Sequence, residues 1–217
     1  MTVPAVASAH RLSVAGLSFS RGRRKLFTDL SWQLDAGEAL ILRGANGSGK
    51  TSLLRVLSGL TAADSGEVKW NDRSWAPLSS AQRATMLYLG HVNAIKDELS
   101  AAENLAEALA FDGLQIDAAM QRDALRRVGL ADRLDLQARR LSQGQKRRIG
   151  LARLALSSKP LWLLDEPTNA LDSEGVEIFV ELVGKHLEQG GLACIATHLP
   201  LVLAGKVREL ALGETSA

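Results

Sequence analysis

The chain has one cysteine, one tyrosine and five prolines in 217 residues, and aromatic residues make up only 4% of it. A lone Cys194 excludes an internal disulfide and fits a reducing compartment; inside the apolar run "LACIAT" it reads as a small buried hydrophobe. An excess of one charge is lacking too. The 26 basic residues face 24 acidic ones, a net charge of +2, so the overall balance gives no reason to expect a nucleic-acid partner. Trp32, Trp70, Trp75 and Trp162 are not interleaved with basic residues, which leaves base stacking unsupported and makes them packing residues. Long hydrophobic runs are missing: the longest uncharged stretch, Gly190 to Gly205, is broken by His198 and Pro200 and is shorter than the ~20 residues of a spanning helix. The opening "MTVPAVASAH" has neither the basic start nor the apolar core of a secretory leader, so a cytoplasmic location is expected.

What is present is a 46% apolar share, enough for a sizeable core, and three short apolar runs that each end in polar residues. They are "ALILRGANGSGKT", "LWLLDEPTNALD" and "LACIATHLP". Runs apolar on both faces read as central strands of a parallel sheet covered by helices. Ligands gather at the carboxyl ends of such strands, so the three polar clusters should meet at one edge. Ahead of the first run, "RLSVAGLSFS" and "LFTDLSWQLDAGE" alternate as antiparallel strands do, with a turn at Ala36-Gly37. Between Ser100 and Leu141 the pattern turns helical, with no convincing strand. The expected fold class is α/β, one domain over 1–217: a core with a β layer from about 1–90 and 151–217, and a helical subdomain inserted at about 91–150.

Gly44, Gly49, Lys50 and Thr51 fit G-x-x-x-x-G-K-[ST]. In that pattern the loop of Ala45, Asn46, Gly47 and Ser48 wraps phosphate oxygens with backbone amides, and the helix opening at Lys50, Thr51 and Ser52 adds positive potential. Lys50 reaches the β and γ oxygens, and Thr51 offers its hydroxyl to Mg²⁺. In "LWLLDE", Asp165 is the expected metal carboxylate. Its neighbour Glu166 points the other way and is placed to polarise an attacking water. His198, at the end of the third run, can hold that water and a γ-phosphate, whereas His10 and His186 read as structural.

In "LSQGQKRRIGLARLAL", Ser142 is a good helix cap, Gly144 permits a close approach, and Gln143 and Gln145 flank it. By itself "LSQGQ" would be an ordinary cap. Beside a phosphate loop it is a second anion-suited helix start, and one nucleotide cannot easily use both on one chain. The economical inference is two copies closing around shared nucleotides. Arg147, Arg148 and Arg153 read as the wet side of that helix.

These motifs, in this order, resemble the nucleotide-binding domain of ATP-binding cassette (ABC) transporters. The likeness makes "GANGSGKT" the Walker A loop, "LSQGQ" the signature, "LWLLDE" Walker B, "NALD" the D-loop with Asp172 at the nucleotide, and "ATH" the switch histidine. It implies a RecA-like core, ATP and Mg²⁺ as ligands, and hydrolysis that opens and closes a dimer. Within that superfamily, "RRKLF", "LYLGHVNAIKDELSAAENL" and "SQGQKRRIGLARL" are most similar to the ATP-binding subunits of the haem exporter of cytochrome c maturation. That implies an integral membrane partner of the CcmB type, contact with haem-handling membrane proteins, no nucleic acid, and a peripheral place on the cytoplasmic face of the inner membrane. The chain departs from the common pattern in three places. His91 stands thirteen residues before Asn104, where most cassettes have a glutamine that touches metal and water; Gln143 replaces a common glycine; and Arg21 occupies the usual place of the adenine-stacking aromatic, with Phe19 and Phe27 near enough to substitute. The alternatives left open are the ATPase of another small-substrate exporter and a soluble cassette ATPase without a transport role. A small-molecule kinase would share the phosphate loop but has no use for "LSQGQ" and "NALD".

Overall fold

The computed structural model describes residues 10–75, 78–91 and 94–213; most of the stretch read above for a leader lies outside them. The chain opens with β1 (Arg11–Arg21) and β2 (Arg24–Asp35), paired antiparallel as their alternation predicts. It turns at Ala36-Gly37 into β3 (Glu38–Arg43), then forms helix α1 (Lys50–Leu57), β4 (Ser65–Trp70) and the short β5 (Arg73–Ser74). After α2 (Ser80–Ala84) and β6 (Met86–Leu89) come the helices α3 (Ala101–Phe111), α4 (Ala118–Arg127) and α5 (Gln143–Leu156). The chain ends with β7 (Leu161–Asp165), α6 (Ser173–Glu188), β8 (Leu192–Ala196) and β9 (Lys206–Ala211).

Two sheets result. One is antiparallel, in the order β2-β1-β4-β5; the other, in the order β6-β7-β8-β3-β9, is parallel throughout. The three apolar runs are its inner strands. Their residues alternate between two cores: Leu40, Leu42, Leu161, Leu163, Leu192 and Cys194 face α1 and the antiparallel layer, while Ala39, Trp162, Leu164, Ala193 and Ile195 face α5 and α6. Each buried leucine of this kind stabilises by about 1.5–3 kcal/mol, and the sum fixes the register that brings the strand ends level. Burial also pushes the Cys194 thiol up to about 12, as suits an inert core residue. The outer strands β6 and β9 lack an apolar run long enough to announce them. In the described part of the helical stretch, β-pairing is limited to an isolated bridge between Ser100 and Gln137. Among the described residues no helix is long and apolar enough to cross a membrane.

Trp70, Trp75 and Trp162 are buried, as expected of packing residues, and Trp75 Nε1 donates to the carbonyl of Leu57 at 2.6 Å, fixing the end of α1. The structural reading of His186 also holds. Its ring stacks on Trp162 with centroids 3.8 Å apart, and Nε2 donates to the Leu192 carbonyl at 3.1 Å. Burial pushes its pKa down from 6.5 to about 4, against the pull of the carbonyls of Leu192 and Pro160. Because the folded value lies below the unfolded one, the unfolded chain binds the proton first. Stability is intact above pH 6.5, falls as pH drops from 6.5 toward 4, and loses nothing further from this group below that. The loss is on the order of 3 kcal/mol. Denaturant melts of wild type and His186→Phe across this range should show a flatter acid limb in the variant; parallel limbs would remove the assignment.

Candidate active site

The phosphate loop runs from Gly44 to Gly49, between β3 and α1. Only glycine fits at 44: its φ is +142°, and a Cβ there would lie 2.4 Å from the Leu212 carbonyl oxygen and 2.6 Å from Ser48 Oγ. Gly49 caps α1 in the left-handed conformation. Lys50 is buried, and its ammonium donates to the carbonyls of Gly44 at 2.7 Å and Ala45 at 3.3 Å, so the charge sits within the loop. Asn46, Gly47, Ser48, Gly49, Thr51 and Ser52 line an open pocket of about 520 Å³, bounded by Arg21, Arg24 and Leu26 on one side and His91 and Glu166 on the other.

The end of β7 meets this loop. Thr51 Oγ1 donates to Asp165 Oδ1 at 3.0 Å, while Asp165 Oδ2 and Ser48 Oγ are buried without a hydrogen-bond partner among the described residues. Burial raises the Asp165 carboxyl above the usual range, outweighing the Thr51 hydrogen bond and the opposing charge of His91. A buried carboxylate short of a partner, beside a hydroxyl and an ammonium, suits a divalent cation that arrives already bound to phosphates. Among the described residues no group of three or more His, Cys, Asp or Glu could hold a metal ion.

Glu166 follows Asp165 at φ +48°, a left-handed conformation that non-glycine residues seldom adopt. Its amide donates to the Ala196 carbonyl at 2.8 Å, which ties β7 to β8, and its Oε2 lies 2.9 Å from His198 Nδ1. Glu166 is nearly buried, whereas the His198 side chain is 56% exposed. Arg43 steadies the loop that carries His198 by donating from Nη1 to the Leu199 carbonyl at 2.5 Å and pairing with Glu209. His91 is exposed and belongs both to the phosphate-loop pocket and to an adjoining cleft walled by Gln143, Arg147 and Asn169. Asn104, above only a landmark for counting, is buried: its Oδ1 accepts from Lys96 N–H, and Nδ2 donates to the carbonyls of Lys96, Leu99 and Ser100, pinning the end of the segment that follows His91.

At the start of α5, Ser142 Oγ accepts from the Gln145 amide at 3.2 Å and Gln145 Oε1 accepts from the Ser142 amide at 3.0 Å, a reciprocal cap. The Gln145 side chain is thereby engaged by the cap, and the Ser142 hydroxyl keeps a hydrogen to donate. Gly144 makes the close approach expected of it, since a Cβ there would lie 2.5 Å from the Ala170 carbonyl oxygen. Ser142, Gln143, Gly144, Gln145 and Asp172 line a second open pocket, of about 580 Å³, that shares no residue with the phosphate-loop pocket. Asp172 caps α6 by accepting from the Gly175 amide at 2.9 Å and pairs with Arg148 Nη2 at 2.6 Å. The Gly175 hydrogen bond and then the Arg148 pair hold its carboxyl below the usual range.

Two expectations need correction. Arg147, Arg148 and Arg153 are not the wet side of α5: Arg147 is 2% and Arg148 6% exposed. Arg148 reaches Val128 O, Asp172 and Glu174, while Arg153 and Lys159 close on buried Asp112. Burial works against the Asp112 charge, but these two cations keep its carboxyl below the ordinary range. Nor is Phe27 free to meet a base. It is 6% exposed, with its ring beneath Gly49. The phosphate-loop pocket is lined instead by Arg21, Arg24 and Leu26. "RRKLF" carries Arg24 and Leu26, and so adds Arg24 to the Arg21 noted from the sequence.

The ABC transporter family matches residues 27–169. Over 93% of this chain and the whole of the relative, the sequence is 48% identical to the "Cytochrome c biogenesis ATP-binding export protein CcmA" of Dechloromonas aromatica. The protein of the same name from Nitrosomonas europaea is 45% identical over 89% of this chain and 91% of that one. An ABC transporter ATP-binding protein from Pyrococcus furiosus superposes with a TM-score of 0.80, covering 92% of this chain and 97% of that one at 22% identity, and so speaks for the fold alone. The two-sheet α/β architecture, the phosphate loop and these likenesses agree: the chain is an ATP-binding, ABC-type ATPase and belongs to the ABC transporter family, among relatives named CcmA.

Proposed function

We propose that two copies of this chain enclose two Mg·ATP between them and that their closing and opening drive the haem exporter of cytochrome c biogenesis. In this reading hydrolysis is coupled to release of a haem-loaded chaperone through an integral membrane subunit of the CcmB type and haem-handling membrane proteins, at the cytoplasmic face of the inner membrane. The observation that carries the two-copy mechanism is the separation of the phosphate-loop and signature pockets on one chain. The names of the near-full-length relatives support the cytochrome c role.

Within each site, loop amides from Gly44 to Ser52 and the Lys50 ammonium take the phosphates. Thr51 and Asp165 are the groups to hold Mg²⁺, which when bound supplies positive charge to the β and γ oxygens. Glu166 accepts a hydrogen from the attacking water, and His198, joined to it at 2.9 Å, holds its carboxylate in line. His91 lines the same pocket, where its ring would reach the cation or water. The partner copy adds the Ser142 hydroxyl and the amides of Gln143 and Gly144, with Gln145 bracing the cap and Asp172 at the rim.

An apolar groove supports the membrane partner. It is walled by Leu89, Ile95, Ala108, Phe111 and Ile149, holds about 340 Å³, and leaves Phe111 94% exposed at its edge.

Glu166→Gln should bind Mg·ATP as wild type does and lose ~100-fold or more in steady-state phosphate release; wild-type turnover would remove Glu166 from its role. Lys50→Ala and Ser142→Arg should each be inactive alone yet regain turnover when mixed, because a mixed pair holds one intact composite site. No recovery would count against the sandwich. Phe111→Asp should keep the ATPase rate of the isolated subunit and fail to co-purify with the membrane subunit. If the Glu166→Gln chain replaces the native one in cells and haem-loaded chaperone does not accumulate, the haem reading is wrong.

A further inference from the structure

Arg147 is the fifth residue of α5 and reaches across to the ends of two strands. Its guanidinium donates from Nε to the Pro167 carbonyl at 3.0 Å, from Nη1 to the Gly90 carbonyl at 3.0 Å, and from Nη2 to the carbonyls of Asp165 at 2.9 Å and Glu166 at 2.5 Å. Three consecutive carbonyls of the turn after β7, and the residue that precedes His91, are therefore held by one side chain. A planar fork of five donors can span such a set; an ammonium cannot.

That turn contains Glu166 at φ +48°. A left-handed non-glycine residue persists only where its surroundings over-determine it, at a strain of about 1–3 kcal/mol. The restraints are visible: the Glu166 amide is fixed by Ala196, and the carbonyls on both sides of it, together with its own, are fixed by Arg147. The result is a carboxylate 2.9 Å from His198. Relaxing residue 166 toward ordinary backbone would swing the carboxylate away from the strand edge.

We propose that Arg147 is a positioning residue that holds the Glu166 turn in register with the signature helix. The anchor of the turn lies just over one helical turn from Ser142, so α5 joins the face offered to the partner's nucleotide to this chain's own glutamate. A shift of α5 on closing then moves the Glu166 carbonyl with it, and alignment for hydrolysis follows engagement of the second copy. Gly90 on the same guanidinium brings the base of the His91 segment into the same unit.

The inference rests on the assignment of Glu166 above, and its test keeps the two apart. Arg147→Lys and Arg147→Gln are each made in wild type and in Glu166→Gln, and kcat, KM for Mg·ATP, ATP affinity and thermal midpoint are measured. In the wild-type background kcat should fall about 10- to 100-fold, as for a catalytic group displaced by an ångström, with KM and ATP affinity within about twofold. In the Glu166→Gln background the same substitutions should change the residual rate less than about twofold, because the group they position is already gone. An equal factor in both backgrounds, loss of ATP affinity in step with kcat, or an unchanged kcat in either folded variant overturns the inference. A dead Glu166→Gln with active Arg147 variants overturns it alone, whereas an active Glu166→Gln removes both readings.

Discussion

Strands buried on both faces can offer polar chemistry only where they stop, and β3, β7 and β8 stop together. Their register is set by leucine, isoleucine and alanine packed against α1 on one side and α5 and α6 on the other. With that register fixed, Thr51 lies within a hydrogen bond of Asp165, and Glu166 within one of His198, although the members of each pair are far apart in sequence. The site is thus a product of sheet packing before it is a product of its own polar contacts. The local hydrogen bonds refine a placement that the apolar core has already made.

The helical stretch is bound to that edge by cations, not by apolar contact alone. Arg147 holds the turn after β7, Arg148 joins α5 to the start of α6 and the end of α4, and Arg153 with Lys159 closes on Asp112 at the far end of α5. Buried guanidinium groups that satisfy carbonyls and carboxylates strongly constrain direction, since an unpaired buried charge is costly. Three such contacts along one helix fix its height and rotation against the sheet. α5 is thereby held at three points, with its capped start at the Ser142 pocket and its fifth residue on the turn after β7.

Much of this was legible in the sequence because the signals were local. The loop from Gly44 to Thr51, the acidic pair after "LWLL" and the histidine after "CIAT" each combine an apolar strand with an abrupt polar stop. The reciprocal cap at Ser142 is likewise a four-residue pattern. The buried arginines were not legible: "KRRIGLAR" has the spacing of an exposed basic face, and nothing nearby in the chain tells that carbonyls from residues 90 and 165–167 lie within reach. Asn104 was hidden for the same reason, because an asparagine four residues into a capped helix looks solvated until the preceding loop folds back on it. Phe27 was misjudged in the opposite sense, its alternation in β2 leaving open which face the phosphate loop would cover. Of the outer strands, β6 is only four residues long and β9 interrupts its apolar residues with charged ones, so neither stands out.

The two separate pockets have a bearing on inheritance. If each nucleotide is gripped by one copy's loop and the other copy's signature, a chain with a single lesion shares one broken site with its healthy neighbour and leaves the other site whole. A cell making both forms in equal amounts would then assemble pairs with two whole sites only a minority of the time and pairs with one whole site most often, so whether such a lesion is dominant or silent reports whether one working site is enough.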